Sequence, residues 1–223
     1  RSTLFPYTTL FRSVSDFVHK AKMKSSVEVL DSAKINATGD FSANANTSFV
    51  ASATSIMENL AFNYTSVDVV TEAILRSGST VKAKNLNVLS TADVRLSTSA
   101  KSTNIIEMFA DVIDKSFGHG GAYSVSIVLA DVSNRAVIEE AVNLEVAKNI
   151  LVDAEMYRTY SGSTKNGLLP IVDNNFGTAG AAAGLFIGNT TNEAIMDSNA
   201  DIAGALDVEA NYVGATVNSV SAS

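Results

Sequence analysis

From Ala122 to Met156 the chain alternates between two textures. An apolar run through Val125, Ile127 and Leu129 leads into a polar segment, Ser133-Asn134-Arg135, followed by Ala136-Val137-Ile138. A short apolar segment and a turn at Lys148-Asn149 come next. Ile150, Val152 and Ala154 then alternate with Leu151, Asp153 and Glu155. Period-two alternation marks a strand with one buried face. The N/E-x-A-[IV]-[LIM] segment in the middle reads as a polar turn.

The same succession recurs. One anchor is Ala73-Ile74-Leu75, Ala136-Val137-Ile138 and Ala194-Ile195-Met196. A second is the start of the closing strand, at Phe41, Leu86, Ile150 and Leu206. Two residues further come Ala43, Val88, Val152 and Val208, and then Ala45, Ser90, Ala154 and Ala210. Spacing between the two anchors is nearly constant, and the variation falls in the connectors, where insertions are tolerated. Same-face apolar residues at the same place in every unit predict stacking. The expected fold is all-β, an elongated parallel β-solenoid (β-helix) with one inserted short helix. An antiparallel meander or sandwich is the alternative, since its strands would alternate too.

Four units follow, 14–58, 59–102, 118–161 and 178–223, with the helix at 103–117. Each unit is expected to supply more than one coil, because strands average about five or six residues. Phe49 to Leu60 reads as a connector with a helical turn at Ile56–Leu60, and Gly162–Gly177 as a linker. In the helix, Ile105, Phe109, Val112 and Ile113 recur at helical spacing, Asn104 and Glu107 form a capping box, and Gly118 ends it. Its acidic face suits a cap or side-brace better than a membrane surface.

Residues 1–13 stand apart. Thr3–Ser13, TLFPYTTLFRS, resembles the translation of a sequencing-library adapter. The segment is set aside as not part of the fold, and the chain is expected to be a fragment lacking both true termini.

Composition changes the picture in two ways. Charged residues are 17%, against about 25% in a typical soluble protein; small polar and β-branched residues take up the difference and suit turns and strands. Net charge is −7 without a Lys/Arg cluster, which argues against nucleic acid and anionic membranes as partners. No apolar run approaches the length of a bilayer span. The chain has no Cys, hence no disulfide and no Cys-based metal site.

Catalytic patterns are lacking. The two histidines, His19 and His119, are far apart, and His119 reads as a polar residue in a glycine turn. There is no G-x-S-x-G elbow, zinc spacing, phosphate loop, EF-hand or calcium nonapeptide. Glu139, Glu140 and Asp201 read as solvated turn acids. Asn36, Asn46, Asn63 and Asn189 begin N-x-[ST] sequons, as chance predicts in a chain this rich in Asn, Ser and Thr. Asp93 and Arg95 are the one pair that could seed an acid/base site. No catalytic, cofactor-binding or metal-binding residue is assigned, and no cofactor is expected.

Three stretches resemble the repeats of large secreted bacterial adhesins of the leukotoxin-A-like and haemagglutinin-like kind. They run from Gly121-Ala122 through Val152-Asp153-Ala154, from Gly184-Leu185 through Val208-Glu209-Ala210, and more loosely from Leu60 through Ser90. That family places a Gly/Ala-rich entry before a V-x-V-x-V strand, then T-x-A-x-I, then G-D-V-x-V-x-A. Thr38-Gly39-Asp40-Phe41-Ser42-Ala43 is nearest to the last element; Lys84-Asn85, Lys148-Asn149 and Gly204-Ala205 replace its Gly-Asp. The resemblance implies a non-enzymatic, secreted or cell-surface, autotransporter-like stalk segment. Its partners would be neighbouring repeats of the same chain and host or cell-surface glycans or proteins. A β-helix polysaccharide lyase or glycosidase is the alternative. An array cut from a longer one is expected to pair or aggregate through its open ends.

Overall fold

Alternation extends well beyond the anchors, and the strands follow it. The computed structural model describes residues 15–58, 60–103, 122–167 and 180–221. The first coil comprises β1 (Ser15–Val29), β2 (Lys34–Asn36) and β3 (Phe41–Glu58). The second comprises β4 (Leu60–Leu75), β5 (Thr80–Ala83) and β6 (Leu86–Thr103), and the third β7 (Ala122–Ile138), β8 (Asn143–Val146) and β9 (Ile150–Gly167). The fourth has β10 (Gly180–Met196) and β11 (Leu206–Ser221), with only a bridge from Ala200 to Leu144 at its short side.

Every pairing is parallel and joins one coil to the next. One long sheet runs β1-β4-β7-β10, the other β3-β6-β9-β11, and the short sheet is β2-β5-β8. The fold is an all-β parallel solenoid, with no helix among the described residues. The predicted helix falls outside the described residues apart from Thr103, which ends β6. Residues 1–13 also lie outside them.

The anchors are register partners. Ala73 pairs with Ala136, and Ala136 with Ala194; Phe41 pairs with Leu86, Leu86 with Ile150, and Ile150 with Leu206. Three expectations are corrected. Each unit forms one coil, because the long strands run 15 to 18 residues, about three times the ordinary length. The connector expected at Phe49–Leu60 is strand: β3 continues to Glu58, with Phe49 opposite Val94 and Ala53 opposite Thr98. The Gly162–Gly177 linker is strand up to Gly167, paired with Thr98–Thr103, and its remainder lies outside the described residues. In both places Ser, Thr, Ala and Gly alternate with too little apolar contrast to announce a strand.

Between the long sheets the interior is narrow. Near the short sheet, Leu75, Ile138, Leu86, Ile150, Val88 and Val152 pack with Ala43, Ala45, Ala73, Ala136 and Ala154. Further along, Val67, Val69, Val94, Leu96, Val132, Met156 and Tyr160 form a second cluster. Small residues at the first cluster let the opposing strands converge on the short third side. Beyond the second cluster the buried positions turn polar: Asn63, Thr65, Thr98, Ser126 and Thr164.

The first corner repeats one backbone shape. Ser32 (φ 63°), Gly78 (φ 81°) and Ala141 (φ 57°) occupy equivalent left-handed positions. Ala33 N–H donates to Leu30 C=O and Ser79 N–H to Arg76 C=O, each closing a tight turn. A side chain costs about 1–2 kcal/mol in this conformation, whereas glycine adopts it freely. We expect Ala141→Gly to stabilise the protein by about 0.5–1 kcal/mol, the relief of strain exceeding the added unfolded-state entropy. Gly78→Ala should destabilise it by about 1–2 kcal/mol. Urea unfolding midpoints of the two variants check both signs.

Candidate functional site

Outward positions of the long sheets carry the polar side chains that could do chemistry. Asp93 and Arg95, next-but-one neighbours on β6, engage each other. Arg95 Nε donates to Asp93 Oδ1 at 3.0 Å and Nη2 to Oδ2 at 2.7 Å. This bond raises the Arg95 pKa above its ordinary value. Asp93 lies opposite Ser48 and Tyr157 in the neighbouring coils, so its register partners bring no second carboxylate. A carboxylate with both oxygens on a guanidinium is a poor general base. His19 lies in β1, and His119 lies outside the described residues.

Charges are organised along the solenoid axis instead. On the first long sheet, Lys24 Nζ lies 3.3 Å from Glu72, Glu72 lies 3.8 Å from Arg135, and Arg135 Nε donates to Glu193 at 3.0 Å. The sign alternates from coil to coil. At the first corner Arg76 bridges Glu28 at 3.1 Å and Glu139 at 2.6 Å, spanning three coils. On the short sheet Lys82 meets Glu145 at 3.0 Å. Glu139, expected to be merely solvated, also accepts from the Ser77 N–H at 3.0 Å. That bond, with Arg76, holds its carboxyl below the usual range.

The Asn-x-Ala segments are also corrected: they are strand, not turn. Thr71, Asn134 and Asn192 are register partners on the inward face, and the intervening Glu72, Arg135 and Glu193 form the outer ladder. Asn134 is fully buried. Its Nδ2 donates to Ser90 C=O (3.1 Å), Glu155 C=O (2.9 Å) and Asn192 Oδ1 (2.8 Å). Its Oδ1 accepts from Ser90 Oγ at 2.5 Å. Asn192 Nδ2 donates to Ala154 C=O and Asn211 C=O at 3.0 and 2.9 Å. The amides therefore clasp one long sheet to the other. The signal is present in the sequence as Asn two residues before the anchor alanine, but the turn preference of asparagine hides its direction.

The second corner has its own ladder. Asn85 Nδ2 donates to Asp40 at 2.6 Å, Asn149 N–H to Asn85 Oδ1 at 3.3 Å, and Ala205 N–H to Asn149 Oδ1 at 2.9 Å. Gly204 is required here, since a Cβ would meet Lys148 C=O at 2.9 Å.

Among the described residues one cation faces inward. Arg158 shares register with Val94 and Gly214, stacks on Tyr160 (4.7 Å) and Tyr212 (5.5 Å), and donates to Thr190 Oγ1. Burial pushes the Tyr160 hydroxyl up to about 12, with Arg158 opposing the rise. Tyr160 also packs on Phe186, centroids 4.1 Å apart. The group fills the interior here, beside a small cavity lined by Leu96, Thr98, Ser126, Val128, Tyr160 and Phe186.

On the outside of the second long sheet, Asp153, Glu155, Asp207 and Glu209 gather. Desolvation raises the Asp153 pKa, helped by repulsion from Glu155, Glu209 and Asp207. Among the described residues no group of three or more His, Cys, Asp or Glu is placed to hold a metal ion. Comparison with protein-family models, with curated proteins and with solved structures gives no match.

Two predictions follow from these acids and amides. Asn134→Ala should lower stability by about 3 kcal/mol, removing several buried hydrogen bonds at about 1 kcal/mol each and stranding carbonyls; urea unfolding measures it. Glu139 and Asp153 should show opposite pH signatures. Glu139 has a lowered folded pKa, so its contribution is present above the unfolded value and lost as pH falls through the folded one. Glu139→Gln should lower the melting temperature at pH 7, by an amount that shrinks as the pH falls through the folded pKa. Asp153 has a raised folded pKa, so the benefit of its protonated form is lost as pH rises through that value. Asp153→Asn should raise the melting temperature at pH 7 and change little at pH 3.

Proposed function

We propose that this chain is a non-enzymatic structural and adhesive stalk segment of a large secreted or surface-exposed bacterial repeat protein. The observation that carries the reading is the unbroken parallel ladder: long strands joined in register through four successive coils. Such a ladder resists bending and presents equivalent outward positions at regular intervals along the axis, which suits display and multivalent contact.

The outer face of the first long sheet supports the adhesive part. Tyr64, Ile127 and Leu185 form one in-register row beside Phe62 and Val125, with Leu129 and Ile187 in the next. Leu185 and Ile187 are 51% and 53% exposed. A contiguous apolar strip on the surface suits the binding of partners. The mutual engagement of Asp93 and Arg95 weighs against a polysaccharide-cleaving site on the same coils.

Beads coated with the chain should adhere to host cells or to a glycan panel, and adhesion should fall at least severalfold with Leu185→Ser/Ile187→Ser. No turnover is expected on acidic polysaccharides. Turnover that disappears with Asp93→Ala would replace this reading with the enzymatic one. A complete reading frame of ordinary length, with neither further units nor a secretion region, would also overturn it.

A further inference from the structure

We propose that one water molecule is bound inside the solenoid between the third and fourth coils, where it continues a row of polar bridges joining the two long sheets. The proposal stands on the fold and goes beyond the stalk reading.

The row follows the register near the third corner. Asn63, Ser126 and Gly184 are partners on the first long sheet, and Ala53, Thr98 and Gly162 on the second. Asn63 Nδ2 donates across the interior to Ala53 C=O at 2.9 Å. One level on, Ser126 Oγ donates to Thr98 Oγ1, also at 2.9 Å. At the next level the two positions are Gly184 and Gly162, and glycine has no side chain with which to bridge. A cavity of about 10 Å³ lies there, lined by Thr98, Ser126 and Gly162 and walled by Leu96, Tyr160 and Phe186.

Tyr160 indicates the occupant. It is 1% exposed, and its hydroxyl has no hydrogen-bond partner among the described residues. Arg158 stacks on the ring face, 4.7 Å from its centroid, and its guanidinium is not in hydrogen-bonding geometry with the oxygen. Leaving a buried hydroxyl unpaired is costly, so it takes a partner where one fits. A water needs roughly 10–15 Å³ and about two to four polar neighbours. Three line this space. Ser126 gives its proton to Thr98, which leaves Thr98 a proton to donate and Ser126 a lone pair to accept; Tyr160 can do either. No carboxylate lines the cavity, so a cation finds no ligand of its preferred kind. Phe186, its ring centroid 4.1 Å from that of Tyr160, covers the site from the fourth coil. The second, third and fourth coils together make the whole site.

A high-resolution crystal structure of the full chain tests this directly. Density is expected for one water within hydrogen-bonding distance of Tyr160 Oη and of the Thr98 or Ser126 hydroxyl; a dry cavity overturns the proposal. In solution, nuclear Overhauser effects should connect a long-lived water to the Val128 methyl groups, and their absence overturns it too. Stability supplies a sign. With the water bound, Tyr160→Phe removes a hydrogen bond and should lower the urea midpoint. With the hydroxyl dry, the same change relieves a buried unpaired group and raises the midpoint. Gly162→Ser, at a strand position, sets a hydroxyl where the water sits. It should remove the water from both the density and the Overhauser spectrum, with far-UV circular dichroism showing the strands intact. A water that persists in the same place beside that serine would show that it does not stand in for the missing bridge.

Discussion

Parallel pairing of one coil with the next is the constraint on which the rest depends. A strand inside such a stack meets its hydrogen-bonding partners in the coils above and below, so its main chain is satisfied only while the register holds. A slip of one residue would turn every inward side chain outward. Residues of like character must therefore recur at the same position in every coil. Ala73, Ala136 and Ala194 do so, and so do Leu86, Ile150 and Leu206. The repeat in the sequence is a consequence of that requirement.

Apolar packing alone holds register weakly in so narrow an interior, where Ala, Ser and Val fit almost anywhere. Polar ladders supply what is missing. The buried amides of Asn134 and Asn192 bond to each other and to carbonyls of the opposite sheet. A displaced register would leave those groups buried without partners, at about 1–3 kcal/mol each. The exposed pairs from Lys24 to Glu193 contribute little individually, at about 0–1 kcal/mol. Their alternation, however, disfavours any arrangement that sets like charges together. Stability comes mainly from the backbone ladder and the packed interior, and uniqueness from the polar residues.

The anchors were legible because they combine high apolar contrast with constant spacing. Strand length was not, because Ala51-Ser52-Ala53-Thr54-Ser55 and Gly162-Ser163-Thr164 alternate between residues of nearly equal polarity. Their strand state is imposed by the neighbouring coil. The direction of Asn134 and Asn192 is hidden for a related reason: asparagine favours turns locally, and only a partner 58 residues away makes an inward position favourable. The corner clamp of Arg76 and Glu139 was hidden likewise, its members being 63 residues apart. The candidate pair Asp93 and Arg95 was found by type and proximity, and what it lacks is a partner from an adjacent coil.

Two corners of the coil are tied by ladders, and this bears on where the sequence varies. The first is stacked through main-chain bonds such as Gly78 N–H to Ala141 C=O and clamped by Arg76. The second is laced by Asp40, Asn85 and Asn149. An insertion at either would cut a ladder that runs through every coil. The third corner joins β3 to β4 through the single residue 59, but β6 to β7 through residues 104–121 and β9 to β10 through residues 168–179. The interior nearest this corner is also the polar one, with Asn63, Thr65, Thr98 and Ser126, so lengthening the chain there disturbs little apolar packing. Loop closure costs only about 0.6 kcal/mol per doubling of length. New sequence can therefore enter at this corner while the ladders on the other two hold the coils in register.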